Sequence, residues 1–128
     1  MKNSWMRRAG IAFTAAAVGV VVSAGGASAA NGRVSTSYNS GTAAWVESSD
    51  TLTVCDNIAD GWGVRGYIYR PYIGDPGNGR VLFKLNDPSS NGACVSASNN
   101  IDESISISIK VCNYQGSDVL FCEYTNLR

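Results

Sequence analysis

The sequence predicts an all-β fold, a small disulfide-braced antiparallel β-sandwich, with a small β-barrel as the alternative architecture. Three observations lead there. The stretch Ile105-Ser106-Ile107-Ser108-Ile109-Lys110-Val111 alternates with a period of two, placing four β-branched side chains on one face and Ser/Lys on the other, as a strand with one buried face requires. Other short runs rich in β-branched and aromatic residues are separated by Gly/Pro/Asn/Asp loops, and no segment of useful length carries a helical period. Four cysteines, an even number, supply two braces for a domain too small to be stable by a wide margin.

Taken in order, the 128-residue chain begins with the pattern of an export signal. Lys2, Arg7 and Arg8 make a positive start, Ala9 to Val22 is an apolar run, and Ala27-Ser28-Ala29 fits the small-x-small cleavage rule. The apolar run is shorter than the roughly 20 residues needed to span a bilayer. Residues 1–29 are therefore expected to be a signal peptide, residues 30–41 a flexible N-terminal arm, and residues 42–128 the β-sandwich domain of a secreted, extracellular protein. Ala43-Ala44-Trp45-Val46 starts the folded body. Strands are expected at Thr51 to Cys55 with Leu52 and Val54 inward, Val64 to Tyr72, Arg80 to Leu85, Ala93 to Ser98, Ile105 to Val111 and Val119 to Tyr124. Asp75-Pro76-Gly77-Asn78-Gly79 is the strongest internal turn, and Asn86 to Gly92 a second polar loop. Pro71 argues against a central position for the end of its strand.

Four cysteines allow three pairings. The segment Asn113 to Asp118 can reverse the chain and set Cys112 beside Cys122, which leaves Cys55 for Cys94. Cys55, Cys94 and Cys112 fall on the sides of their strands opposite the apolar residues, so both bridges are expected as edge or outer-face staples.

The chemistry is mostly one of exclusion. The chain has no histidine, which removes histidine-based acid–base catalysis and histidine metal sites. Disulfide pairing removes a cysteine nucleophile. The acidic residues sit in turns and strand flanks, and no pair is recognisable as a glycosidase couple. No catalytic residue, metal site or cofactor is predicted, and Asp56 to Gly61 reads as Asx-turn chemistry rather than a calcium loop. With the leader removed, seven basic residues face ten acidic ones, a net charge of −3, and the basic side chains are dispersed. A nucleic-acid partner is not expected, nor is a membrane once the signal is cleaved.

Two features suggest contact surfaces. Trp62, Tyr67, Tyr69 and Tyr72 cluster with Arg65 and Arg70, a composition that anchors interfaces or stacks on sugars. Within the arm, Arg33 to Tyr38 alternates Val34, Thr36 and Tyr38, suited to strand addition on another protein. The partner-binding residues expected are thus Arg33, Val34, Thr36, Tyr38, Trp62, Arg65, Tyr67 and Tyr69.

The leader, Leu52-Thr53-Val54-Cys55-Asp56, Ala59-Asp60-Gly61 with Val64-Arg65-Gly66-Tyr67, Cys94, and Lys110-Val111-Cys112 ending near Cys122 together resemble small exported proteins of Streptomyces and related actinobacteria. Among these the chain resembles the small adaptor subunit of umbrella-shaped secreted toxin particles. The resemblance spans most of the mature chain and rests on general β-domain features. It implies a non-catalytic β-sandwich bridging two larger secreted proteins, a lectin-bearing subunit and a repeat-containing toxin polypeptide, with the N-terminal segment inserted into a cleft of the former. The alternatives are a binder of cell-wall or other carbohydrate, using Trp45, Trp62, Tyr67 or Tyr69, and a protease inhibitor presenting Ile73 to Arg80 or Asn86 to Gly92.

Overall fold

The computed structural model describes residues 30–128, so the expected signal peptide lies outside the described residues. Eight strands form two four-stranded antiparallel sheets: β1 (Gly32–Ser35), β2 (Gly41–Val46), β3 (Thr51–Asp56), β4 (Gly63–Tyr72), β5 (Asp75–Asp87), β6 (Val95–Ser98), β7 (Ser108–Gln115) and β8 (Asp118–Asn126). Sheet A runs β1-β2-β3-β6 and sheet B runs β5-β4-β7-β8, which makes the domain a sandwich rather than a barrel. A single 3₁₀ turn, Glu47–Ser49, joins β2 to β3.

The core lies between the sheets. Ala43, Trp45, Leu52 and Val54 from sheet A meet Val64, Ile68, Ile109 and Val111 from sheet B, joined by Ile101 and Ile107. Gly66 faces this layer at the centre of β4. A side chain there would start 2.6 Å from Val54 Cγ2 and 3.2 Å from Ala43 Cβ, so its absence sets how closely the sheets approach.

Both expected disulfides are present, Cys55–Cys94 and Cys112–Cys122. Cys55 shares the outward face of β3 with Thr51 and Thr53, and the second bridge lies on the outer face of sheet B, as their places in the alternation required. Hydrogen bonds close the rims of the sandwich. The buried carboxylate of Asp87, at the end of β5, accepts the Asp56 N–H at 2.8 Å and so ties sheet B to sheet A. At the β1–β2 turn, Thr36 and Ser40 hydroxyls bond at 2.9 Å and Ser40 donates to Asn113 Oδ1 at 2.8 Å, all three residues being buried. At the other rim, Glu47 accepts the Trp45 Nε1–H at 2.6 Å and pairs with Arg128.

Three expectations are corrected. Residues 30–41 are not a free arm. Gly32–Ser35 pairs in register with Thr42–Trp45, Val34 packs on the core, and the folded body therefore starts ten residues earlier than the composition indicated. The polar side chains that suggested disorder face outward or join the Thr36–Ser40–Asn113 network. Asp75 to Gly79 is not the hairpin turn. The chain reverses at Ile73-Gly74, where Gly74 adopts φ +81° and Tyr72 pairs with Asp75. The Asp-Pro-Gly-Asn-Gly chemistry instead forms an irregularity within β5, since Gly79 already pairs with Pro71. Finally, the strand expected from Ile105 becomes regular only at Ser108, although Ile107, Ile109 and Val111 all face the core as predicted and Ile105 packs against it. β4 is an inner strand, and Pro71 is tolerated because β7 pairs with β4 only as far as Tyr69.

Candidate functional site

The two outer faces of the sandwich differ in kind. On sheet A, cross-strand neighbours Thr51 and Ser98, and Thr53 and Ser96, bond through their hydroxyls at 2.8 Å, giving a small polar ladder beside the Cys55–Cys94 bridge. On sheet B the outward positions of β4 and β7 carry Arg65, Tyr67, Tyr69, Lys110, Cys112 and Tyr114. The registers Arg65↔Cys112 and Tyr67↔Lys110 place these side chains next to one another. The apolar side chains left exposed here are Val81 on β5, Tyr124 on β8, and Tyr72 with Ile73 at the β4–β5 apex, Ile73 being fully exposed.

The irregular part of β5 folds over this face. Tyr69 donates its hydroxyl proton to the Pro76 carbonyl at 2.8 Å and is only 2% exposed, and the ring of Tyr124 lies against Gly77. A cavity of about 490 Å³ results, lined by Tyr67, Tyr69, Tyr72, Val81, Val119 and the Cys112–Cys122 bridge together with Asn78, Gly79 and Lys110. Its size is that of a ligand or side-chain pocket. Lys110 Nζ donates a long hydrogen bond of 3.3 Å to Asn78 Oδ1 and lies 5.2 Å from the Tyr69 ring centroid. Burial lowers the Lys110 ammonium below the usual lysine range, against a smaller pull upward from Asp75. Burial likewise raises the Tyr69 hydroxyl.

The expected site residues separate into groups. Tyr67 lines the cavity, and Tyr69 forms its floor, too buried to be a free contact. Arg65 is held by its own chain, with Nε donating to Asn86 Oδ1 at 2.7 Å and the guanidinium 4.4 Å from the Tyr114 ring centroid. Trp62 is not part of the tyrosine cluster. It lines a smaller cleft of about 290 Å³ with Asp56, Ile58, Asp60 and Pro88. There Asp56 accepts the Ile58 N–H and Asp60 accepts the Trp62 N–H, the Asx-turn chemistry the spacing suggested. Burial raises the Asp56 carboxyl above its ordinary range, with Asp60 and Asp87 adding repulsion. Val34 and Thr36 are turned into the fold, while Arg33 stays exposed on β1.

Tyr38 joins a surface patch that the sequence did not reveal. It is 70% exposed and meets Phe121 edge to face at 5.0 Å, with Leu120 exposed alongside in sequence. Phe121 adopts φ +54° at an irregularity in the β7–β8 pairing, a left-handed conformation uncommon for an aromatic residue. Ser37 Oγ donates to Glu123 at 2.6 Å and fastens the patch.

Lys110, Val81, Val119, Tyr124 and the Phe121 patch were missed. Lys110 stood among serines on the polar face of an alternating strand, and only the β4–β7 register reveals tyrosines beside it. Comparisons with protein-family models, with curated proteins and with solved structures return no significant match to this chain.

Proposed function

We propose that this chain is a secreted, non-catalytic interaction module that joins larger extracellular proteins, with the outer face of sheet B as its principal contact surface. The observation that carries the reading is the asymmetry of the sandwich. One face is a Ser/Thr ladder suited to water, and the other exposes Tyr72, Ile73, Val81 and Tyr124 around a cavity. Exposed apolar side chains grouped on a rigid, disulfide-stapled sheet are characteristic of recognition surfaces. Two disulfides suit an oxidising extracellular setting and the leader pattern of residues 1–29.

A bridging adaptor requires two contacts, and the Tyr38–Phe121–Leu120 patch supplies the second. This supports the finer role implied by the resemblance, an adaptor between a lectin-bearing subunit and a repeat-containing toxin polypeptide. Because residues 32–35 are paired within the domain, contact is assigned to these two faces rather than to insertion of a free arm.

Affinity purification of tagged mature protein from its native culture supernatant tests the reading. Larger polypeptides should co-elute in stoichiometric amounts, Ile73→Asp should abolish capture of one, and Tyr38→Ala should weaken capture of another. Recovery of the protein alone would overturn the proposal, and retention of the isolated domain on cell-wall glycan would favour a carbohydrate-binding module instead.

A further inference from the structure

We propose that the cavity beneath the β4–β5 hairpin takes a carboxylate-bearing apolar segment of a partner polypeptide, with Lys110 reading the carboxylate. The inference rests on the interaction-module reading and specifies what its main surface recognises.

The cavity contains a cation short of partners. Among the described residues the ion pair recorded is Arg128 with Glu47, and no carboxylate lies within ion-pair distance of Lys110. Asp75 is instead engaged by the Asn78 side-chain amide, at 3.2 Å through Oδ1 and 3.0 Å through Oδ2. Lys110 in turn donates only to the amide oxygen of that same asparagine, at 3.3 Å, so an ammonium with three donors uses one weakly. Partial burial costs this ammonium hydration that one long hydrogen bond and the Tyr69 ring restore only in part. A ligand carboxylate would supply charge-assisted hydrogen bonds where bulk water is partly excluded.

The remaining walls define what must accompany the carboxylate. Val81, Val119 and the Cys112–Cys122 bridge are apolar, the Tyr69 ring lies under Lys110, and Tyr67 and Tyr72 add aromatic rings to the wall. These walls accept an aliphatic or aromatic side chain. With a net charge of −3 on the mature chain, a polyanion would be repelled overall, whereas a single acidic side chain with an apolar neighbour meets one local cation and an apolar wall. Ile73, projecting at the apex, extends the apolar track for the residues that follow.

The test compares acetyl-Phe-Glu-Phe-amide with acetyl-Phe-Gln-Phe-amide, followed through the Val81 and Val119 methyl resonances of the mature, oxidised protein. The glutamate peptide should shift both methyls saturably and bind about tenfold tighter than its neutral analogue, as expected when a charge-assisted contact is lost. Lys110→Met should remove that preference and Lys110→Arg should keep it. A purely structural lysine, bracing the hairpin through Asn78, would affect both peptides alike. Equal binding of the two peptides, absence of saturable shifts, or displacement by a galacturonate trisaccharide at lower concentration than by the peptide would each overturn the proposal. Supernatant capture separates the two levels of inference. If Lys110→Met retains a partner that Ile73→Asp loses, the carboxylate pocket fails and the interaction module stands. If neither change alters capture, the pocket and the sheet B contact surface both fail, whereas recovery of the unsubstituted protein alone would overturn the interaction module itself.

Discussion

Replacing Asp87 by alanine should loosen the join between the sheets by an amount the geometry allows one to work out. The carboxylate is 2% exposed and accepts the Asp56 N–H at 2.8 Å, with a longer contact of 3.4 Å from the Ser89 N–H. A hydrogen bond to a charged acceptor contributes about 1.5–3 kcal/mol, and a backbone donor left buried without a partner costs about 1–3 kcal/mol. Part of this is returned, because removing Asp87 also removes a negative charge that disfavours the ionised Asp56. The net destabilisation should be about 2 kcal/mol, or a fall in Tm of about 8–16 °C for a domain of this size. Asp87→Asn keeps an acceptor oxygen and should lose about half as much. Urea melts with both disulfides intact give the energies, and hydrogen exchange of the Asp56 amide reports the bond itself. An alanine variant within about 0.5 kcal/mol of wild type, the range of an ordinary surface change, would refute the reasoning. Equal losses for alanine and asparagine would show that the acceptor oxygen is not responsible.

At the opposite rim, Glu47→Ala leaves the Trp45 Nε1–H and the Arg128 guanidinium without their carboxylate and should destabilise by about 3 kcal/mol, measured by urea melt, whereas Glu47→Gln preserves an acceptor for Trp45 and should lose less. Replacing Cys112 and Cys122 by serine opens a loop with a sequence separation of 10 and should cost about 3 kcal/mol; the same change at Cys55 and Cys94, separated by 39, should cost about 4 kcal/mol. Denaturant midpoints should therefore rank the long bridge as the more stabilising. Burial holds the Asp56 proton to higher pH in the folded state than in the unfolded chain, so its stabilising contribution is present below the ordinary value of 3.8 and is lost as pH rises through the elevated folded value. Asp56→Asn should thus gain stability relative to wild type at neutral pH, and stability curves of the two proteins should converge as pH falls toward 3.8; parallel curves would contradict this assignment.

The sandwich was legible because its signals are local. Ile107, Ile109 and Val111 alternate with polar residues, Leu52 and Val54 do the same, and both disulfide pairings follow from chain reversal between Cys112 and Cys122. The N-terminal strand was not legible, since Gly32–Ser35 carries one apolar residue, Val34, and owes its order to pairing with β2. The apex of the β4–β5 hairpin was misplaced for a related reason. Asp-Pro-Gly-Asn-Gly has strong turn preferences, but the tertiary contacts of Tyr69 with Pro76 and of Lys110 with Asn78 bend it onto the sheet instead. Half the candidate site was visible as the alternation of Tyr67 and Tyr69. Its cation was not, because proximity across β4 and β7 depends on a register that single strands do not disclose.

The borders of sheet B have their own consequence for how copies of this domain meet one another. β5 contains Pro76 and the departure from register that carries it over the face, and β8 is bent at Phe121, so neither border offers a long straight row of backbone groups to a passing strand. A chain can then carry tyrosine, valine and isoleucine in the open without inviting copies of itself to stack into fibres. Whatever settles on this sheet must approach broadside, against side chains, and selectivity is thereby transferred from the backbone to the amino-acid identities.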